Sequence, residues 1–480
     1  MNARPGEIIV VGAGLAYLGF LGWAIGNLSY DIWGALVVVP IYGVMGVILI
    51  RGMFRGALHP VATALTWGLA LKLGGAAARY WVGFEAYGGS IDAGRYHEYA
   101  VETVSLVRSG DASFTTVLPS GQGTAFLEQF TAFTYALTGG SQLAGFVTFS
   151  FLAYVGLIFI VKAAIVAVPG LAVRRYAWFC VLFPSVVYWP SSIGKEAPMM
   201  LGLGIASYGI ARMLTRRGWI SSLLIAGCGL GFAAIIRPHI AGIWVAAALP
   251  GLVIALVGRN RLAGGRRVSK FGIVLVLGVA LIVFGALATA TVGYLAPASD
   301  DETSTSDSLT QILEETTRRT AQAGSSFTPP SVSSPLNWPY ASLRTLTRPL
   351  PFEVQGIAQL ASAAEMTALL GIYALSRKRI RNLPRLIVSN PYITFVVTTI
   401  FLVGLAYTSL ANLGLLTRQK SLIMPFLLLL PCLPAREHRR PEQPDKANLS
   451  QPALARPQAA ASNELVDRRA SSNIDDEIWA

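Results

Sequence analysis

Residues 144–168 read AGFVTFSFLAYVGLIFIVKAAIVAV, a run whose single charge is Lys162. A helix of about 20 apolar residues crosses the roughly 30 Å hydrocarbon layer of a bilayer, so this stretch alone is long enough to span one. Working outward, comparable segments lie near 7–26, 32–50, 59–83, 176–191, 197–214, 219–236, 240–257, 271–295, 356–376, 389–410 and 420–434, about twelve in all. The whole composition agrees. Of the 480 residues, 53% are hydrophobic and 13% are Asp, Glu, Lys or Arg, against roughly 25% charged in soluble globular proteins. A chain of soluble domains is excluded, and the expected fold is an all-α polytopic transmembrane bundle. The first run, Ile8 to about Ile25, lacks a small-residue cleavage site and reads as an uncleaved span. Cys180, Cys228 and Cys432 all fall inside apolar runs, which argues against a disulfide framework or a zinc cluster.

The net charge of +13 reports topology before it reports partners, because Lys and Arg are retained on the cytoplasmic side of a membrane. With the N-terminus inside, every second connection is basic: Arg51 and Arg55; Arg174 and Arg175; Arg216 and Arg217; Arg259, Arg261, Arg266, Arg267 and Lys270; then Arg377, Lys378, Arg379, Arg381 and Arg385. Both termini are therefore expected in the cytoplasm, and nucleic acid is not an expected partner. Residues 1–434 form the membrane domain. Residues 435–480, which open with Arg436, Arg439 and Arg440 and show no periodicity, read as a disordered cytoplasmic tail.

Two long outer connections follow, about 84–143 and 296–355. In the first, Tyr96, Ala100, Val104 and Val107, then Phe126, Phe130, Phe133 and Leu137, recur at helical spacing and predict two helices lying on the membrane surface. The second opens acidic and Ser/Thr-rich (Asp300 to Ser308), passes a short helix with Glu314, Glu315, Arg318 and Arg319, and becomes Pro-rich from Pro329 to Pro351.

Function is sought in the charges on the wrong side. Lys195 lies in PSSIGKEAP, Arg237 and His239 in RPH, and Arg418 and Lys420 in TRQK, all in short outer turns. Cations in three such turns predict a convergent anion site suited to a lipid-linked phosphate or diphosphate. The competing reading has each cation cap a helix C-terminus or meet lipid headgroups. DAGRYHEYA (92–100) places Asp92, His97 and Glu98 beside that site, and a carboxylate there is suited to take a proton from an attacking sugar hydroxyl. Asp92 equally suits the N-cap of the following helix, while His97, Glu98 and Glu102 suit its solvated face. In RTLTRPLPFE (344–353), two arginines and Glu353 either close over a phosphate and an acceptor sugar or, for Arg348 and Glu353, pair with each other. Lys72 and Glu365 sit within apolar runs, where an isolated charge costs at least about 2.5–3.5 kcal/mol, so they are expected to face the bundle and to pair. Lys162 is near enough to a helix end to snorkel.

Together, DAGRYHEYA, FPSVVYWPSSIGKEAPM (183–199), RPH, RPLPFE and TRQKSLIMPFLLLLP (417–431) resemble the polytopic GT-C-type glycosyltransferases and the O-antigen polymerase-like proteins of bacterial envelopes. The motifs cover a small part of the chain and the span pattern most of it. The resemblance implies transfer of a sugar or glycan from a polyprenyl-phosphate or diphosphate donor to a glycan or lipid acceptor at the extracytoplasmic face. It gives Asp92 the role of base; the reading of the residues themselves leaves His97, Glu98 and Glu353 as alternatives. Lys195, Arg237 and Arg418 hold the donor phosphate, joined by His239, Arg348 and Lys420. A divalent cation, magnesium or manganese, is compatible with the carboxylates and not demanded. In many GT-C enzymes the first large outer loop follows the first span, whereas here it follows the third, so either two helices precede the shared core or the match is to the polymerase group. A different class, a lipid-linked oligosaccharide flippase or transporter, predicts polar groups through the depth of the bundle and a path to both faces.

Overall fold

The computed structural model describes residues 5–261 and 317–435, except 87, 90, 91, 216, 319, 322–324, 333 and 355, together with scattered positions between 278 and 289. The elements are helices, and among the described residues β-pairing is limited to one isolated bridge, Ser326 to Asn412. The long ones are α1 (Pro5–Asn27), α2 (Tyr30–Met53), α3 (His59–Trp81), α4 (Asp92–Ser109), α5 (Gly123–Thr138) and α6 (Gln142–Ala167). After two short helices, α7 (Val173–Leu182) and α8 (Pro184–Tyr188), come α9 (Glu196–Leu214), α10 (Trp219–Ile236) and α11 (Pro238–Arg261). Beyond them lie α12 (Trp338–Thr347), α13 (Ile357–Leu375), α14 (Arg377–Ile380), α15 (Leu383–Ser389), α16 (Pro391–Ala406), α17 (Leu413–Lys420) and α18 (Met424–Leu429).

Seven described helices are long and apolar enough to cross a membrane, or up to eight if the bent pair Leu413–Lys420 and Met424–Cys432 counts as one. The expected count of about twelve is therefore not reached among the described residues, for identifiable reasons. The run 271–295 lies outside them apart from scattered positions, as do the acidic stretch 300–308 and the tail from 436 onward. The run 176–191 is not one span but α7 and α8, broken where Phe183 turns extended ahead of Pro184. The run 420–434 is the second arm of a pair bent by 60°.

The break at α8 carries Lys72 and Glu365, two of the charges found within apolar runs. Lys72 Nζ donates to the carbonyls of Val186 (2.7 Å) and Val187 (3.1 Å). The residue that would otherwise donate to Val186 in a continuing helix is Pro190, which has no N–H. At the other end of α8 the Ser185 amide donates to Glu365 at 2.8 Å. A carboxylate thus meets the start of this helix and an ammonium its end, the favourable order for the backbone dipoles. The expected Lys72–Glu365 pair does not form, because each group finds a backbone partner that the break has exposed.

The core of the bundle is the crossing of α6 with α9. A Cβ on Gly156 would lie 2.2 Å from the Met200 carbonyl oxygen, and one on Gly204 2.1 Å from that of Gly156, so the backbones touch only because both residues are glycine. Around this crossing the described basic turns at 51–55, 174–175 and 377–385 gather at one end of the bundle. There Lys162 reaches the Met53 carbonyl, Arg175 the Ser376 hydroxyl and Arg379 the Leu433 carbonyl. The starts of α2 and α6 meet at the opposite end, where Asp31 accepts from the Gln142 amide at 2.6 Å. The helices α4 and α5 cover that second end, tied by Arg95 to Glu128 at 2.7 Å. Tyr96, Ala100, Val104 and Phe126 are buried, so these faces pack within the protein, whereas Leu137 is exposed.

Candidate functional site

The end covered by α4 and α5 also collects the cations from the short turns. Two of them, Arg418 and Arg237, meet on a carboxylate, Glu196, the first residue of α9 and 1% exposed. Arg418 Nη2 lies 2.7 Å from one Glu196 oxygen and Arg237 Nη2 3.2 Å from the other. The Arg418 guanidinium then reaches outward, its Nη1 3.0 Å from Asp92 Oδ2. Lys195 turns the other way and donates to Thr124 at 2.9 Å, joining the same turn to α5. His239 sits where the charges of both Arg237 and Lys195 act on it. Gly194 permits this crowding, since a Cβ there would lie 3.3 Å from Arg418 Nη2 and 3.4 Å from Glu196 Oε2.

Each position has a local cause. Arg237 ends α10 directly before Pro238, so the chain reverses there and delivers the guanidinium to the helix ends. Arg418 lies in α17, whose start is capped by Asn412 accepting from the Leu415 amide. Asp92 opens α4 and remains exposed, so it is a helix start and an ion-pair partner at once. Three cations and two carboxylates leave one positive charge in excess in this group. Among the described residues Arg237 Nη1 is buried without a hydrogen-bond partner.

The other expected site residues are elsewhere. His97 Nδ1 is 2.8 Å from the Tyr135 hydroxyl, on the side of α4 facing Asp31, and burial lowers its pKa below the ordinary imidazole value. Glu98 is exposed on the same helix. Tyr96 faces the cluster, and burial followed by the Asp92 charge pushes its phenol up to about 12. Glu353 is engaged by Arg344 (2.6 Å), by Arg348 (3.1 Å) and by the Leu350 amide (2.9 Å), so the pairing of Arg348 with Glu353 is present and extends to Arg344. Lys420 does not join Arg418. Two positions along a helix point to nearly opposite sides, and its Nζ donates to the carbonyls of Leu346 (3.3 Å) and Arg348, beside Met366.

Two participants escape sequence reading. Glu196 adjoins Lys195 in GKEAP, and the signal that would have found it is charge balance: several cations in apolar turns require a carboxylate among them. Arg79, near the end of α3, lies 5.0 Å from the ring centres of both Tyr188 and Trp189 and donates to the Tyr188 hydroxyl, clamping the segment that leads to Glu196. Among the described residues no group of three or more His, Cys, Asp or Glu comes together to hold a metal ion. Asp92 and Glu196 are both bound to Arg418, a donor set that does not fit a resident divalent cation. No protein-family model, curated protein or solved structure matches the chain.

Proposed function

We propose that the protein is an integral-membrane glycosyltransferase that moves a sugar or glycan from a polyprenyl-phosphate or diphosphate donor to an acceptor at the extracytoplasmic face of a bacterial inner membrane. The observation that carries this reading is the Asp92–Arg418–Glu196–Arg237 chain, flanked by Lys195, at the end of the bundle opposite the basic turns. It combines an exposed carboxylate with preorganised cations whose sum exceeds the carboxylates by one. A buried guanidinium nitrogen without an acceptor is costly, and an incoming phosphate oxygen supplies one to Arg237 Nη1.

In the reaction, the acceptor hydroxyl gives its proton to Asp92 while its oxygen attacks the anomeric carbon of the donor. The bond from that carbon to the phosphate oxygen breaks, and the electron pair leaves with the phosphate. Arg237 is assigned the stabilisation of the charge that develops there through its open Nη1, with Lys195 and His239 as neighbours that a bound donor could also engage. Arg418 orients the Asp92 carboxylate, and Glu196 holds Arg418 and Arg237 at a fixed spacing, as a positioning residue.

The test is release of polyprenyl phosphate or diphosphate from a panel of lipid-linked sugars by the purified chain in nanodiscs. Asp92→Asn is expected to slow transfer by about 10²–10⁴-fold, the usual contribution of a general base. Its exposed pair with Arg418 contributes at most about 1 kcal/mol to stability, so the variant stays folded. Transfer by both Asp92→Asn and Arg237→Ala at the parent rate overturns the assignment.

A further inference from the structure

A second site lies across α17 from the first. Thr328, Pro330, Ser331, Asn337, Tyr340, Arg344 and Arg348 line a pocket of about 240 Å³, smaller than the roughly 300–1,000 Å³ of sites for drug-sized ligands. Arg348 is fixed: its guanidinium lies 4.6 Å above the Phe327 ring and donates through Nη1 to the Thr328 carbonyl at 3.0 Å. Arg344 is anchored through Nη2 to Glu353. These contacts use a minority of the five N–H donors that each guanidinium carries.

We propose that this pocket binds a monoanionic, carboxylate-bearing sugar of the uronic acid type. Two arginines and one glutamate leave a single positive charge, which matches one carboxylate better than a phosphate dianion. The planar guanidinium fork suits a carboxylate geometrically. The remaining lining, the Asn337 amide, the Thr328 hydroxyl and the 65% exposed Tyr340 ring, offers hydrogen bonds to hydroxyls and a flat face for a pyranose.

The pocket is tied to the first site. The Phe327 amide donates to the Ala411 carbonyl (2.9 Å) and the Leu413 amide to the Ser325 carbonyl (3.0 Å), so the segment that enters the pocket runs along the start of α17. Lys420, from the end of the same helix, holds the Leu346 and Arg348 carbonyls. The position suits the acceptor glycan, a role that rests on the transferase reading; the ligand chemistry does not.

Binding is tested on the full chain in nanodiscs by saturation-transfer NMR with methyl β-D-glucuronide, methyl β-D-glucoside, inorganic phosphate and glycerol 1-phosphate. Expected are binding of the glucuronide, at least tenfold weaker binding of the glucoside, a tenfold or greater loss in Tyr340→Ala and Asn337→Ala, and no change in Arg237→Ala. Equal affinity for glucoside and glucuronide overturns the charge argument. Displacement of the glucuronide by either phosphate compound at equal concentration makes the pocket a general anion or lipid-headgroup site and overturns the saccharide reading. Loss in Arg237→Ala with retention in Tyr340→Ala moves the ligand to the first site and also overturns it. Glucuronide binding without transfer on any donor removes the transferase reading alone, and transfer without glucuronide binding removes this pocket alone.

Discussion

Replacing Glu196 with glutamine keeps the side chain's size and removes the negative charge that two guanidinium groups share. Deleting one member of a buried ion pair costs about 3–5 kcal/mol, because the partner charge is left without compensation. Here Arg418 retains Asp92 at 3.0 Å, and the Arg237 and Arg418 side chains are 11% and 21% exposed. Both facts soften the loss, which sets the expected destabilisation at the lower end, about 3 kcal/mol. The chain supplies its own reporters: Cys180 and Cys432 are buried free thiols and Cys228 is exposed. In a Cys228→Ser background, labelling by a thiol-reactive dye during titration with SDS reads unfolding, and the midpoints give the free-energy difference. The double variant with Arg237→Gln is expected to lose less than the sum of the two single losses, by about 0.5–3 kcal/mol. A loss below about 1 kcal/mol for Glu196→Gln, the range of exposed ion pairs, together with additive behaviour in the double variant, refutes the view that this carboxylate organises the cations.

Lys72→Met leaves the Val186 carbonyl without its donor, while Val187 keeps the Ser191 hydroxyl; the expected cost is about 1–3 kcal/mol in the same thiol assay. Gly156→Ala drives a methyl group against the Met200 carbonyl, and the strain of overpacking is expected to cost about 1–3 kcal/mol, read as a lower SDS midpoint. For His97, burial places the folded pKa below the unfolded value of about 6.5. The unfolded chain then binds the proton first, so this contribution to stability is complete above about pH 6.5 and is lost as pH falls toward the folded value. Unfolding midpoints measured across this range should decline in the parent and decline less in His97→Gln.

Hydropathy made most helices legible, since an apolar run of this length has few other structures open to it. It failed where helices break. Nothing in the apolarity of 176–191 separates one span from two short helices; the Phe183–Pro184 step does, through the restriction proline places on the residue before it. The site was legible in the sign of its charges and not in their pairing. Lys195, Arg237 and Arg418 stand out because they lie in turns that the charge rule leaves neutral; the fold brings Arg237 and Arg418 onto one carboxylate and turns Lys195 toward Thr124. Glu196 was hidden by its neighbour Lys195, and which of two adjacent charges faces inward depends on where α9 begins. Lys72 and Glu365 were expected to seek each other because opposite charges are the obvious partners in an apolar setting. Backbone groups freed by a helix break are an equally strong attraction, and sequence spacing does not reveal where such a break will stand in three dimensions.

The late TRQK motif shows why identical charges need not have identical work. Arg418 and Lys420 lie on nearly opposite sides of α17: one holds Asp92 and Glu196, the other the carbonyls of Leu346 and Arg348. A helix of eight residues anchored on both flanks, capped by Asn412 at its start and bent by 60° from the segment after it, has little freedom to shift on one side alone. The Arg348 loop and the Asp92 carboxylate are thus held by side chains of the same short helix. On the transferase reading, this places the acceptor sugar and the base that deprotonates it on a common support, where a fixed geometry contributes more to rate than any added contact.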